Sequence, residues 1–379
     1  MGGIIMKWRY IKGVVAALTL VLLFLTLSTC GKDVIKIGFI GSLTSKNSQL
    51  SIDARNAIEL GIDQLNRSGG IQGRLLELVV KDDGASEETA LLRHNEFAQE
   101  DIELVLGHMT SNMANAVMKS QSEHLMFLSP SMGASSLTGI DDYFIRTAPL
   151  TDNQAWTFFE IATKLSIKKA VIVYDLMNAE YTENMALYAK EINEERYKID
   201  LTLIPFDSRE GEVEQTVSEI LEIEDVELVL MISQAVDTAL ISQKLKSENS
   251  EIQLASVSWS MTEDLILNGG RAVEGMYFIG IYTSENASDE KLAFEKSFHE
   301  KYQYQPSFIC FMAYDAFKVL VKGIENADDI NAVAVKESIL SLGKIQGLEE
   351  TFEIDAYGDN NRGYLLHQLI NGEFVPLYN

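Results

Sequence analysis

The run VIKIGFIGSLTSKNSQLSIDARNAIELGIDQLNRSGGIQGRLLELVVKDD, Val34–Asp83, reads as strand, polar loop, helix and strand. Val34–Ile40 is nearly unbroken apolar sequence, as a buried strand requires. Gly41–Gln49 is polar, with Ser42, Thr44, Ser45 and Ser48. Ser51–Arg67 sets Ile52, Ala57, Leu60, Gly61 and Leu65 at helical spacing, and Gly69-Gly70 stops that helix. Leu75–Val80 is the next strand and ends at Asp82-Asp83.

The same alternation continues outward. Glu87–Gln99 is a helix, Ile102–Leu106 a strand with exit loop Gly107–Asn112, and Met113–Glu123 a helix. Leu125–Leu128 is a strand whose exit loop is Ser129–Ser136. After Tyr143–Arg146 the pattern restarts. Helices Asn153–Leu165, Thr182–Arg196, Val213–Leu221 and Ala235–Lys246 alternate with strands Lys169–Tyr174, Asp200–Pro205, Leu228–Ile232 and Ile252–Ser256. A short helix Thr262–Leu267, N-capped by Thr262, precedes strand Gly275–Ile281. Three helices follow (Glu290–Tyr302, Phe311–Ile324, Val333–Leu342). The tail then alternates over Glu350–Ile354 and Tyr364–Ile370, and Asn371-Gly372 predicts a hairpin turn before Phe374–Leu377. Strand–helix alternation predicts parallel sheet with right-handed crossovers. Two runs of similar build predict two α/β lobes.

Composition narrows the function. The 379 residues carry 31 Lys+Arg against 56 Asp+Glu, a formal charge of −25, which opposes nucleic-acid binding. With 46% apolar residues the chain can bury a sizeable core. Two Cys exclude a disulfide scaffold and a cysteine-based zinc site. His94, His108, His124, His299 and His367 show no metal-ligand spacing. No GxSxG elbow, phosphate-binding P-loop or GxGxxG fingerprint occurs, so neither catalysis nor a cofactor is expected. His108 near Ser111 reads as a loop histidine.

The N-terminus is an address. Lys7, Arg9 and Lys12 precede the apolar stretch Val14–Leu27, which is too short to span a bilayer and suits a signal peptide over residues 1–29. Leu27-Ser28-Thr29-Cys30-Gly31 resembles a bacterial lipobox, with Cys30 the lipidated residue and Thr29 a departure from the usual small residue. The other reading is an uncleaved anchor helix. Both place the body outside the cytoplasmic membrane and tethered to it.

Several motifs recur in a fixed order: Arg55-Asn56-Ala57, Asn66, Gly69-Gly70-Ile71, Gly73-Arg74, Lys81-Asp82-Asp83, Gly107-His108-Met109-Thr110-Ser111 and Ser129-Pro130-Ser131. Tyr174-Asp175, Tyr181, Thr262-Glu263-Asp264, Glu274-Gly275, Pro306-Ser307-Phe308 and Tyr314-Asp315-Ala316 follow. Together they resemble type I periplasmic solute receptors, the leucine/isoleucine/valine receptor family of ABC transporters, over about residues 34–377. The resemblance implies two Rossmann-like lobes with mostly parallel sheets, joined by three hinge crossovers, with ligand in the cleft between them. The crossovers fall near Arg146–Pro149, Ile281–Ser284 and Leu348–Glu350. Lobe one is then 34–147 plus 284–348, and lobe two 148–283 plus 349–379.

By resemblance, Ser111, with Asn112 beside it in the first exit loop, binds a ligand carboxylate, and the backbone carbonyl and amide groups of Ser131, Met132 and Gly133 in the second hold the ligand's ammonium and carboxylate. Helix N-termini behind both loops would supply free N–H groups. The other role of Ser111 is to cap its own helix. Tyr181, Gln234 and Trp259 form the second wall, with Phe308 or Ile309 lining the cleft from lobe one. Three departures stand out. Gly133 replaces a hydroxyl residue, Leu50 replaces a tyrosine, and Ser258 or Trp259 stands where branched-chain receptors carry an acid for the ligand's ammonium. The expected ligand is a small carboxylate-bearing solute, either an amino acid or an aromatic acid. The expected partners are ABC permease and ATPase subunits, and the expected state is a monomer. A ligand-sensing subunit on the same fold, and an enzyme on an α/β scaffold, are the alternatives.

Overall fold

The computed structural model describes residues 34–45, 48–120, 124–281, 283 and 287–378. The signal-peptide and Cys30 readings fall outside these residues. So do the end of the expected helix Met113–Glu123 and part of the second crossover, Ile281–Ser284.

The first run folds as β1 (Ile35–Gly41), α1 (Gln49–Arg67), β2 (Leu76–Asp82), α2 (Glu87–Gln99), β3 (Leu104–Leu106), α3 (Ala114–Lys119), β4 (Met126–Ser129) and β5 (Phe144–Arg146). All five strands pair in parallel, in the order β2-β1-β3-β4-β5. β1 lies inside this sheet and is buried at every residue but Lys36, as its apolar run requires. At the end of α1, Gly69 and Gly70 take positive φ, and the Gly70 N–H donates back to the Leu65 carbonyl at 3.0 Å. Asn66 then exchanges two hydrogen bonds with the backbone of Leu76, which fixes where β2 begins.

The second run gives α4 (Thr151–Lys164), β6 (Lys169–Asp175), α5 (Ala179–Ile192), β7 (Asp200–Phe206), α6 (Val213–Leu221), β8 (Leu228–Ile232), α7 (Ala235–Glu248), β9 (Gln253–Val257), α8 (Glu263–Gly269) and β10 (Tyr277–Ile281). Its parallel strands run β7-β6-β8-β9-β10, the same winding as the first sheet. The duplication read in the sequence is thus a duplication of topology. Thr262 sits at the N-cap of α8, but its hydroxyl makes no cap bond. The chain then builds α9 (Asp289–Tyr302), α10 (Phe308–Asn326), α11 (Ala332–Leu340) and the two-stranded β11 (Lys344–Gln346)–β12 (Thr351–Glu353). β13 (Tyr364–Ile370) and β14 (Glu373–Pro376) extend the second sheet antiparallel. Asn371 and Gly372 both take positive φ, as a two-residue hairpin turn demands.

Each sheet is packed on both faces, so each lobe has three layers. One face of the first sheet packs with α1, α9, α10 and α11 in a core holding Ile37, Phe39, Phe298, Phe317 and Ile339; the other buries Phe97, Val105 and Phe127. The second sheet packs Phe158, Ile172 and Met185 on one face and Val173, Ile220 and Phe278 on the other. Buried apolar side chains pass from the first core to the second between Ala148 and Ala155, and return between Ile279 and Phe294. The third passage lies between Ile354 and Leu366, a few residues beyond the Leu348–Glu350 position that the resemblance implies, because Phe352 and Ile354 pack into the first core. Among the described residues no helix is long and apolar enough to cross a membrane.

Candidate functional site

In open α/β sheets a ligand site forms beyond the carboxyl ends of strands, where the strand order reverses. Here the two sheets turn those ends toward each other. Between them lies a cavity lined from both lobes. Leu50, Met109, Thr110, Ser111, Ser131, Gly133, Phe308 and Met312 line it from the first lobe, Ala148 and Pro149 from the first crossover. Thr151, Gln154, Asn178, Tyr181, Ser258, Trp259, Ile281 and Tyr364 line it from the second.

The two exit loops of the first sheet are stitched together. Ser129, buried at the end of β4, donates to the His108 carbonyl at 2.5 Å and accepts from the Met132 N–H at 3.0 Å. The Ser131 hydroxyl donates to the Met109 carbonyl at 2.7 Å. His108 itself is buried under its loop, with Nδ1 at 2.6 Å from Asp83 Oδ2 and Nε2 at 2.8 Å from His94 Nε2. The Ser111 hydroxyl therefore sits on a loop held from below, and it has no hydrogen-bond partner among the described residues.

The second lobe closes on these loops at two points. The Asn112 N–H donates to Asn178 Oδ1 at 3.0 Å, and the Thr151 hydroxyl donates to the Gly133 carbonyl at 2.6 Å. Gly133 is required there, since a Cβ would overlap Thr151 Oγ1. Tyr181 donates to Gln154 Oε1 at 2.6 Å, and Tyr364 to the Pro149 carbonyl at 3.3 Å. Burial, reinforced by each other's proximity in the case of Tyr181, pushes both phenols above their ordinary range, so they stay neutral. Among the described residues no Asp, Glu, Lys, Arg or His lines the cavity. Its polar groups are hydroxyls, amides and backbone, and its walls are aromatic and aliphatic, the usual make-up of a small-molecule site.

A wider cleft adjoins this cavity through Ile281, Phe308 and Met312. It carries many charges, several of them paired. Arg362 pairs with Asp315, and Lys291 with Glu349 at 2.6 Å.

Residues 34–373 match the sequence pattern of the family described as periplasmic binding protein. The chain belongs to that family. It is 24% identical over 312 residues to the leucine-, isoleucine-, valine-, threonine- and alanine-binding protein of Pseudomonas aeruginosa, covering 81% of this chain and 82% of the relative. To the Leu/Ile/Val-binding protein of Citrobacter freundii it is 22% identical over 330 residues, covering 86% and 88%. Among solved structures, the leucine-binding protein LivK of Thermotoga maritima superposes with a TM-score of 0.83 at 19% identity, over 91% of this chain and 98% of that one. A solute-binding protein from R. palustris, solved with benzoate, superposes at 0.81 and 19%, over 91% and 95%. These likenesses agree with the type I receptor fold read from the motifs.

In this periplasmic binding protein, Ser111, Ser131, Gly133, Tyr181, Trp259 and Phe308 line one cavity, as the sequence led us to expect of their positions. Four expected residues are elsewhere. Met132 is buried with Phe127 and Phe144 beneath its loop. Ile309, one residue past Phe308 on α10, faces the first core. Gln234 occupies the N-cap of α7, and its amide donates to Asp237 at 2.5 Å. Asn112 is not in the cavity lining; its side chain accepts from the Thr110 hydroxyl at 2.6 Å and its N–H donates to Asn178.

The expected helix N-termini also differ. Ser111 opens a 3₁₀ turn, Ser111–Met113, ahead of the short α3, and Thr110, not Ser111, is its N-cap. Gly133 leads into another 3₁₀ turn, Ser135–Leu137. Neither loop has a long helix dipole behind it within the described residues. Thr151, Gln154, Asn178, Met312 and Tyr364 were missed. Gln154 alone carried a signal, as a polar residue on the apolar face of a predicted helix.

Proposed function

We propose that this protein is the extracytoplasmic receptor of an ABC importer, tethered through Cys30. In this reading it captures a small carboxylate-bearing solute between its lobes by hinge closure and hands it, intact, to permease and ATPase subunits. The observation that carries the reading is the neutral, donor-bearing cavity between the carboxyl ends of two like-wound sheets, bridged by Asn112–Asn178 and Thr151–Gly133. The Ser111 hydroxyl and the Gly133 N–H grip the carboxylate beside Ser131, and Tyr181, Trp259 and Phe308 enclose the remainder. Capture without turnover fits a pocket whose hydroxyls have no ionisable base among the lining residues.

Native mass spectrometry of the purified protein identifies a co-purified solute, and isothermal titration measures its affinity. Loss of a hydrogen bond to a charged group costs about 1.5–3 kcal/mol. Ser111→Ala is therefore expected to weaken binding roughly 10- to 100-fold with unchanged thermal stability of the empty protein. Unaltered affinity in this variant removes Ser111 from the site. Recovery of a chemically altered solute removes the receptor reading.

A further inference from the structure

We infer that the pocket selects carboxylates bearing no α-ammonium group, that is aliphatic or aryl carboxylic acids in preference to amino acids. The inference rests on the carboxylate reading above and deepens it.

An α-amino acid brings two opposite charges into a site sheltered from water, and each must be paired or richly hydrogen-bonded. The ammonium is a pure donor and needs acceptors. Among the described residues that line the pocket there is no carboxylate to supply a charged one. Five neutral acceptors of the lining each already take one hydrogen bond. Gln154 Oε1 takes the Tyr181 hydroxyl, and Asn178 Oδ1 takes the Asn112 N–H. The carbonyls of Gly133, Met109 and Pro149 take Thr151, Ser131 and Tyr364 respectively.

The nearby acids do not repair the deficit. Asp53 lies behind Leu50 on α1, where Tyr304, Ser307 and Gln49 all donate to its carboxylate, at 2.7, 2.6 and 2.7 Å. Burial also pushes its carboxyl above the ordinary range. Glu263 lines the wider outer cleft and not the pocket. Unspent donors are present instead. The Ser111 hydroxyl and the Trp259 indole N–H have no partner among the described residues. With no charged acceptor among the described lining residues, such a site pairs an anion more fully than an ammonium. Leu50, Ile281, Phe308 and Met312 supply apolar wall for the rest of the molecule.

Matched pairs test this by isothermal titration at pH 7.5: leucine against 4-methylpentanoate, and phenylalanine against 3-phenylpropanoate. The neutral 4-methylpentanamide and 3-phenylpropanamide are run alongside. A site that leaves a polar group unpaired discriminates strongly, so at least one acid is expected to bind about tenfold or more tightly than its amino acid. Equal or tighter binding of the amino acids overturns the inference and leaves the carboxylate reading intact. An amide binding as tightly as its acid refutes the carboxylate reading, while exclusion of the ammonium still stands. Silence from all six compounds overturns both.

Discussion

Gly133 shows how much one missing atom organises. The place a Cβ would take is filled by the hydroxyl of Thr151, which donates to the Gly133 carbonyl. What reads in sequence as a lost hydroxyl is a hydroxyl delivered from the second lobe. Gly133→Ala forces the two loops apart, at an expected cost of about 1–3 kcal/mol from overpacking. In a Thr151→Ala background the same change has room. A double-mutant cycle by urea denaturation should therefore return a coupling of about 1 kcal/mol or more. Additive effects would mean that the collision is not what sets the cost.

At the scale of elements, the exit loop of β3 is positioned by a buried chain of four side chains from different segments. The Ser120 hydroxyl donates to the Ala116 carbonyl at 2.9 Å, so it accepts from His94 Nδ1 at 2.5 Å. Burial, then the neighbouring His108, depresses His94 to about 3, so it is neutral and its Nε2 accepts from His108. His108 Nδ1 then faces Asp83. This chain ties α2, α3 and the ends of β2 and β3 beneath Ser111. Removing one partner of a buried pair leaves the other stranded. His108→Leu is expected to cost about 3–5 kcal/mol in chemical denaturation and, where folded protein remains, to weaken solute binding. A loss below about 1 kcal/mol would show that the chain does not hold the loop. Histidine at 94 and 108 carried no sequence signal beyond the loop itself, because the contact joins residues far apart in the chain.

For the whole molecule, the charge cluster that Glu350 of the first lobe forms with Arg362 of the third passage carries its own pH dependence. Glu350 is raised to about 7, chiefly by burial, with Asp315 and Glu349 adding to the shift and Arg362 opposing it. Its folded value therefore exceeds its unfolded value of about 4.5. Between these two values the native state holds a proton that the unfolded state releases, so this group's contribution falls as pH rises from about 4.5 to 7. Neutral His94 works in the other direction. Its contribution is full above about 6.5 and is lost as pH falls toward 3. Comparing the parent with Glu350→Gln isolates the first effect. The variant is expected to gain stability relative to the parent across pH 4.5–7, reaching roughly 1–3 kcal/mol by pH 8 in thermal or urea unfolding. A difference that stays flat with pH would place Glu350 in solvent.

The order of strands and helices, the duplication, the two exit loops and the closing hairpin were all written in local pattern. Periodicity, glycine stops and turn pairs act over a few residues and need no partner to be read. Most of the cavity's first-lobe wall was legible for the same reason, since strand ends locate loops. Which loop residues face the cavity was decided by tertiary structure. Met132 and Ile309 turned inward because apolar cores lay beneath them, while Thr151, Gln154, Asn178 and Tyr364 reached the cavity from segments the motifs did not mark. A side chain in a loop takes its direction from whatever packs against it, and here that partner came from the other lobe.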